Sequence, residues 1–255
     1  MTSQQRVLVT AGANGIGYAI ARGFYKEGAR VFVCDIDKSA LRSVKDGTSG
    51  LTGSLCDVAD PDQVADLFRL IDAEAGGIDV LVNNAGVGGG SAAIADIDIE
   101  TWNRAIDVNL NGMFYCLRES AGRMTPQGHG VVLNISTASV RTGLPLRLPY
   151  IASKHAVLGL TQNAARELGP SNIRVNAILP GLIKNDRGEA LVRQRAQQRN
   201  ISQDEAEASY LDYVSMRTWI DMEEVADLAV FLASDKARHI SGQFIAVDGN
   251  MEWEA

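Results

Sequence analysis

The sequence predicts a doubly wound, Rossmann-type α/β fold: one seven-stranded parallel sheet with helices on both faces. Three observations carry this. Short apolar runs alternate with amphipathic segments along most of the 255 residues. Several runs, such as "VVLNI" and "RVNAIL", are almost continuously apolar, as strands buried on both faces require. A glycine-rich turn, "TAGANGIG" at 10–17, joins the first apolar run to the first helical pattern. Strand–helix alternation of this kind builds parallel sheets through crossover helices.

The strands are expected at Arg6–Thr10, Arg30–Cys34, Gly53–Asp57, Ile78–Asn83, Gly130–Ser136, Ile173–Leu179 and Gly242–Val247. After the glycine turn, "YAIARGFYKEG" reads as a helix. Helical spacing of apolar residues recurs in Gln63–Glu74, Thr101–Met124, Ala152–Leu168 and Glu223–Ser234. The rhythm breaks at Asn185–Ile220, a long, polar, helical stretch that reads as an insertion over one edge of the sheet. No linker, repeat or low-complexity tract divides the chain, so residues 1–255 are expected to form one domain with a substrate-loop insertion at about 182–220.

Composition narrows the function. The chain is 46% hydrophobic and 22% charged, ordinary for a globular protein, with a net charge of -7. That charge opposes nonspecific binding to nucleic acid or an anionic membrane. No apolar run approaches a membrane span, and "MTSQQ" leads into the first strand without a secretory pattern. Cys34, Cys56 and Cys116 are widely spaced and odd in number, which suits reduced core thiols in a cytoplasmic protein. His129, His155 and His239 have no metal-ligand spacing, and no metal is expected.

A strand, a glycine turn and a helix opening a βαβ unit suit a dinucleotide. Backbone N–H groups approach the pyrophosphate, and the helix N-terminus favours its charge. Glycines alone are weak evidence, because tight turns need them for positive φ. The context strengthens the case. Asp35 ends "VFVCD" about 20 residues beyond the turn, where an acidic residue meets the adenosine ribose. A carboxylate there repels a 2′-phosphate, and neither Ala13, Asn14 nor Ile36 supplies a compensating base. NAD is therefore expected rather than NADP.

With these motifs the chain resembles the short-chain dehydrogenase/reductase family from end to end. "TAGANGIG" is similar to its T-G-x-x-x-G-x-G turn, "NNAG" at 83–86 to the motif ending its fourth strand, "NLNG" supplies Asn109, and "YIASK" supplies Y-x-x-x-K as Tyr150 and Lys154. The resemblance implies cofactor contacts from Gly12, Asn14, Gly15, Ile16, Gly17, Asp35, Ile36, Asp57, Val58, Asn84, Ala85, Gly86, Tyr150, Lys154, Pro180, Gly181, Ile183 and Asn185. Asp57 and Val58 would receive the adenine, and Lys154 the nicotinamide ribose. It also implies that Asn109 interrupts its helix and helps hold a proton-relaying water.

Residue chemistry supports an alcohol–ketone oxidoreductase. A spacing of four sets Tyr150 and Lys154 on one helix face. A free tyrosine, with pKa about 10, is a poor base near neutrality. A neighbouring ammonium favours the phenolate, which can then take an alcohol proton as hydride leaves for the cofactor. The family's substrate-orienting serine, thirteen residues before the tyrosine, is here Thr137, with Ser136 and Ser139 as rivals. Two other departures are Ala11, in place of the turn's first glycine, and Asn185, where the family commonly has a carboxamide-binding threonine.

The substrate is expected to be a polar hydroxy compound, such as a sugar, polyol or hydroxy acid; a steroid or acyl thioester stays open. Arg141, Arg147, Lys184, Arg187, Arg193 and Arg195 are candidate anion contacts, although Arg193 and Arg195 fit a solvated helix face better. Tyr210, Tyr213, Met216 and Trp219 suit a lid wall. By resemblance, the helices at 101–124 and 152–168 would pair subunits into a homodimer or homotetramer. An NADP-dependent carbonyl or 3-oxoacyl reductase and a non-catalytic dinucleotide sensor are the alternatives. The intact Tyr150, Lys154 and Asn109 favour catalysis.

Overall fold

The structure, a computed structural model, describes residues 4–46 and 50–251. Seven parallel strands form one sheet in the order β3-β2-β1-β4-β5-β6-β7. They are β1 Arg6–Thr10, β2 Arg30–Asp35, β3 Thr52–Leu55, β4 Val80–Asn83, β5 Gly130–Ile135, β6 Ile173–Pro180 and β7 Phe244–Val247. The helices are α1 Gly15–Lys26, α2 Lys38–Asp46, α3 Pro61–Ala75, α4 Ile99–Ile106, α5 Gly112–Gln127, α6 Leu148–Leu168, α7 Asp186–Arg199, α8 Gln203–Leu211 and α9 Met222–Ala233. Strand order reverses between β1 and β4, which opens a crevice beyond their C-terminal ends.

Strand alternation feeds two cores. Val7, Val9, Val31 and Val33 face α1 and α9, where they meet Ile20, Phe24, Val225 and Leu232. Leu8, Phe32 and Leu81 face the other way, onto Val64, Phe68 and Ile71 of α3 and Leu117 of α5. Each large side chain buried here contributes about 1.5–3 kcal/mol relative to exposure. Helix ends are written in local chemistry. Asp60 caps α3 ahead of Pro61, and Gly76 closes it with φ 71°. Ser202 and Glu205 form a capping box on α8.

Boundaries move where loops win over apolar pattern. β3 stops at Leu55, because Cys56 and Asp57 already turn toward α3. The helix expected at Thr101–Met124 is α4 and α5 joined by a π-helical turn, Asp107–Asn111. The helix expected from Ala152 begins at Leu148, so Tyr150 lies in its first turn. The insertion is helical as expected, with α7 and α8. Single bridges, Ile183 with Ile220 and Val214 with Met251, tie its surroundings together. Cys34, Cys56 and Cys116 are free and buried. Among the described residues no helix is long and apolar enough to cross a membrane. The side chain of Arg187 and the last four residues of the expected C-terminal tail lie outside the described residues.

Candidate active site

The glycine turn divides its labour in a way the spacing alone did not reveal. Gly15 has φ 55°, and a Cβ there would meet nothing within 4 Å, so its backbone faces open space at the start of α1. Gly12 and Gly17 serve the protein itself. A Cβ on Gly12 would lie 2.7 Å from Val33 Cγ1, and one on Gly17 would lie 2.2 Å from the Ala11 carbonyl oxygen. The missing side chain of Gly17 thus makes room for the turn itself and for the Asn84 amide. Ala11 holds φ 48°, the left-handed conformation that L-residues adopt at a cost of about 1–2 kcal/mol.

The rest of the crevice rim is fastened to this turn. Asn84 Nδ2 donates to the carbonyls of Thr10 (3.0 Å) and Ala11 (3.2 Å). Thr10 Oγ1 accepts from the N–H groups of Asn84 (2.9 Å) and Ala85 (3.0 Å). Spacing alone does not single out Thr10; its place at a strand end before the glycines is the sequence signal for it. Asp35 ends β2, and its carboxylate accepts from Ala13 N–H (3.3 Å) and Asp37 N–H (3.1 Å). Ile36 beside it is 59% exposed, an apolar face that a base could cover. Asn14 caps α1, accepting from Gly15 N–H, with Ile16 in the same first turn.

On the other side of β2, Asp57 Oδ2 pairs with Arg104 at 3.0 Å while Oδ1 accepts from Ala59 N–H. Val58 is buried against Gly112. These residues, the open Gly15 backbone and the Asp35 carboxylate together fit an adenosine and a pyrophosphate.

The catalytic candidates converge beyond β4 and β5. Lys154 is buried and its Nζ donates to the Ile135 carbonyl at 2.7 Å. Gly86 lies against it: a Cβ there would meet both Lys154 Nζ and Asn109 Oδ1 at 3.3 Å. Asn109, fully buried in the π-helical turn, accepts from Val87 N–H (2.7 Å) and donates to the Val87 carbonyl (3.0 Å) and Ser153 Oγ (2.9 Å). Its side chain is committed to positioning the 86–87 backbone and α6. Tyr150 stands half-buried one turn before Lys154.

The three hydroxyl rivals separate. Ser136 Oγ donates to the Lys154 carbonyl at 2.9 Å, a structural bond. Thr137 is buried and its Oγ1 accepts from Ser139 N–H, which leaves its own proton to donate. Ser139 belongs to the short turn that Thr137 caps. Beneath them a buried chain runs from Asn83 Nδ2 to Asn134 Oδ1 and from Asn134 Nδ2 to Thr161 Oγ1, pinning α6 to the sheet.

Pro180 and Gly181 end β6, where Gly181 packs on Asp248. Ile183 turns its side chain into the core beside Ile220, so its backbone is the group left to offer. Asn185 caps α7, accepting from Gly188 N–H at 2.9 Å, which leaves its amide N–H₂ to donate. Arg193 pairs with Glu189 along the exposed face of α7, and Arg195 stacks on Tyr210.

Fold and site define a dinucleotide-dependent oxidoreductase, and comparison with known proteins narrows the class. A protein-family model described as "Enoyl-(Acyl carrier protein) reductase" matches residues 10–252. D-beta-hydroxybutyrate dehydrogenase of Rhizobium meliloti is 33% identical, over 97% of this chain and 98% of its own. A 3-oxoacyl-(acyl-carrier-protein) reductase of Thermotoga maritima is 35% identical over 96% of each chain. Among solved structures, an actinorhodin polyketide ketoreductase variant with NADPH superposes with a TM-score of 0.91 at 31% identity, covering 98% and 97% of the two chains. NAD+-bound xylitol dehydrogenase superposes with a TM-score of 0.88 at 28% identity, covering 98% and 100%. The chain belongs to the short-chain dehydrogenase/reductase family. It is an oxidoreductase of alcohol and ketone groups that uses a nicotinamide dinucleotide.

Proposed function

We propose that this protein uses NAD to interconvert a secondary alcohol and a ketone on a small polar hydroxy compound. The observation that carries the cofactor choice is Asp35. Its carboxylate ends β2 and hydrogen-bonds into the glycine turn, where it can accept from ribose hydroxyls and repels a 2′-phosphate. When bound, the nicotinamide accepts or returns the hydride.

The chain's own residues handle the proton. Tyr150 takes it from the alcohol or gives it to the ketone. Lys154, one helical turn on, places a buried positive charge beside it. Thr137 orients the substrate oxygen through its free-to-donate hydroxyl. Asn109 holds the 86–87 backbone against Lys154, and the π-helical turn around it suits a water relay to solvent. The turn and rim residues, Gly12 to Gly17, Asp35, Ile36, Asp57, Val58, Asn84 to Gly86, Pro180, Gly181, Ile183 and Asn185, line the cofactor. α7 and α8 cover the substrate, copies pair through α5 and α6, and the free buried thiols suit the cytoplasm. The similarity to hydroxybutyrate and xylitol dehydrogenases supports small hydroxy compounds; the NADPH-bound ketoreductase keeps NADP as the competing reading.

The test is a titration with NADH and NADPH, followed by a turnover panel of sugars, polyols, hydroxy acids and simple secondary alcohols. NADH binding at least about tenfold tighter than NADPH, with turnover on one group, is expected. Tighter NADPH binding overturns the cofactor choice. Tight NADH binding with no turnover on any class favours a dinucleotide sensor.

A further inference from the structure

Arg147 stands three residues before Tyr150, on the same side of the start of α6. Its guanidinium carbon lies 5.7 Å from the centre of the Tyr150 ring, and Nη2 donates to the Gly88 carbonyl at 3.1 Å. The side chain is half-buried, so the charge is partly desolvated. Its turn is held firmly. Leu146 adopts φ 66°, unusual for a bulky residue, and its carbonyl accepts from Ala92 N–H at 3.0 Å. Opposite, Gly89 is pressed so close that a Cβ would meet Pro149 Cβ at 3.0 Å. Strained backbone maintained beside a reacting group fits a fixed functional position. Arg141 is paired with the buried Asp248 at 3.4 Å, and Lys184 is exposed.

We infer that Arg147 is a specificity-determining residue that binds a carboxylate of the substrate, so that the preferred substrates are short hydroxy acids and their oxo acids. This rests on the reading of Tyr150 as the acid/base. A planar guanidinium, already oriented by Gly88, matches a carboxylate's two oxygens and loses little freedom on binding it. Anchored there, the acid presents its carbinol toward Tyr150. A neutral polyol gains nothing comparable.

The experiment compares kcat/KM for short hydroxy acids and their methyl esters in the wild type and in Arg147→Gln. The acid-to-ester ratio falls at least about 30-fold in the variant, mainly through KM. In Arg193→Gln, a surface change, the ratio holds. Malonate is also titrated calorimetrically into the NADH-loaded protein; it binds the wild type and binds Arg147→Gln at least about tenfold more weakly. An unchanged ratio, or equal malonate affinity in wild type and variant, overturns the inference. Turnover of polyols but not acids overturns it while leaving the alcohol–ketone reading intact. Absent turnover with every substrate overturns that reading, and the malonate titration still decides the role of Arg147.

Discussion

Asn109 donates from Nδ2 to Ser153 Oγ at 2.9 Å, and Ser153 in turn donates to the Tyr150 carbonyl at 2.8 Å. A fully buried asparagine on one helix thereby grips the first turn of the helix that carries Tyr150 and Lys154. Ser153→Ala removes the link and leaves an amide proton of Asn109 without that acceptor, at a cost of about 1–3 kcal/mol. In a chain of this length, each kcal/mol lowers Tm by about 2–4 °C. The expected outcome is that loss together with a severalfold drop in kcat and unchanged NADH affinity. Wild-type Tm and kcat would show that the grip is idle.

Ala11 occupies a left-handed position in the glycine turn. Glycine adopts this conformation without the Cβ clash but loses more entropy on folding. Relief exceeds that loss, so Ala11→Gly raises stability by about 0.5–1 kcal/mol, measured by urea unfolding. Dinucleotide affinity changes little, because Gly15 remains the backbone facing open space.

The proposed preference for NAD places cofactor selection at Asp35 and Ile36. Replacing them together, Asp35→Ser with Ile36→Arg, removes the repelling carboxylate and adds a phosphate-binding cation. The ratio of kcat/KM for NADP to that for NAD rises at least about 100-fold. An unmoved ratio would place cofactor selection elsewhere.

At the opposite end of the sheet, Arg6 makes paired hydrogen bonds to Asp79, which also meets His129. Burial alone raises the Asp79 carboxyl, but the hydrogen bonds and charge of Arg6, with His129, outweigh it and hold the group below its usual value. A depressed folded pKa adds stability above the unfolded value of about 3.9, and that stability is lost as pH falls through the lower folded value. Arg6→Ala, which strands a half-buried carboxylate, costs about 3 kcal/mol near neutrality. Urea midpoints measured from neutral to acid pH check this: the gap between wild type and variant is widest near neutrality and narrows as pH falls, because the stranded Asp79 carboxyl of the variant, raised by burial, takes up its proton before the paired one does.

Much of this molecule is legible in its sequence. Apolar runs locate the seven strands, most clearly the central ones buried on both faces, and Lys154 Nζ and Asn109 Oδ1 both lie beside Gly86. What stays hidden depends on three-dimensional neighbours. No spacing rule separates Gly15, which faces open space, from Gly17, which makes room for the Ala11 carbonyl. The family resemblance implies that Asn109 interrupts its helix, but not that its amide is engaged by Val87 and Ser153. Spacing favours Thr137 but leaves Ser136 as a rival until the Ser136 hydroxyl is seen bonded to the Lys154 carbonyl. The alignment of Arg147 with Tyr150 depends on the Leu146 turn, which no residue preference announces.

The role of Tyr150 as acid and base is tested most directly by single-turnover hydride transfer in Tyr150→Phe, with NADH affinity measured on the same sample. Affinity within about threefold of wild type and a transfer rate lower by about 10³-fold are expected. Transfer at the wild-type rate, with NADH bound normally, would contradict that role and remove Tyr150 from the chemistry.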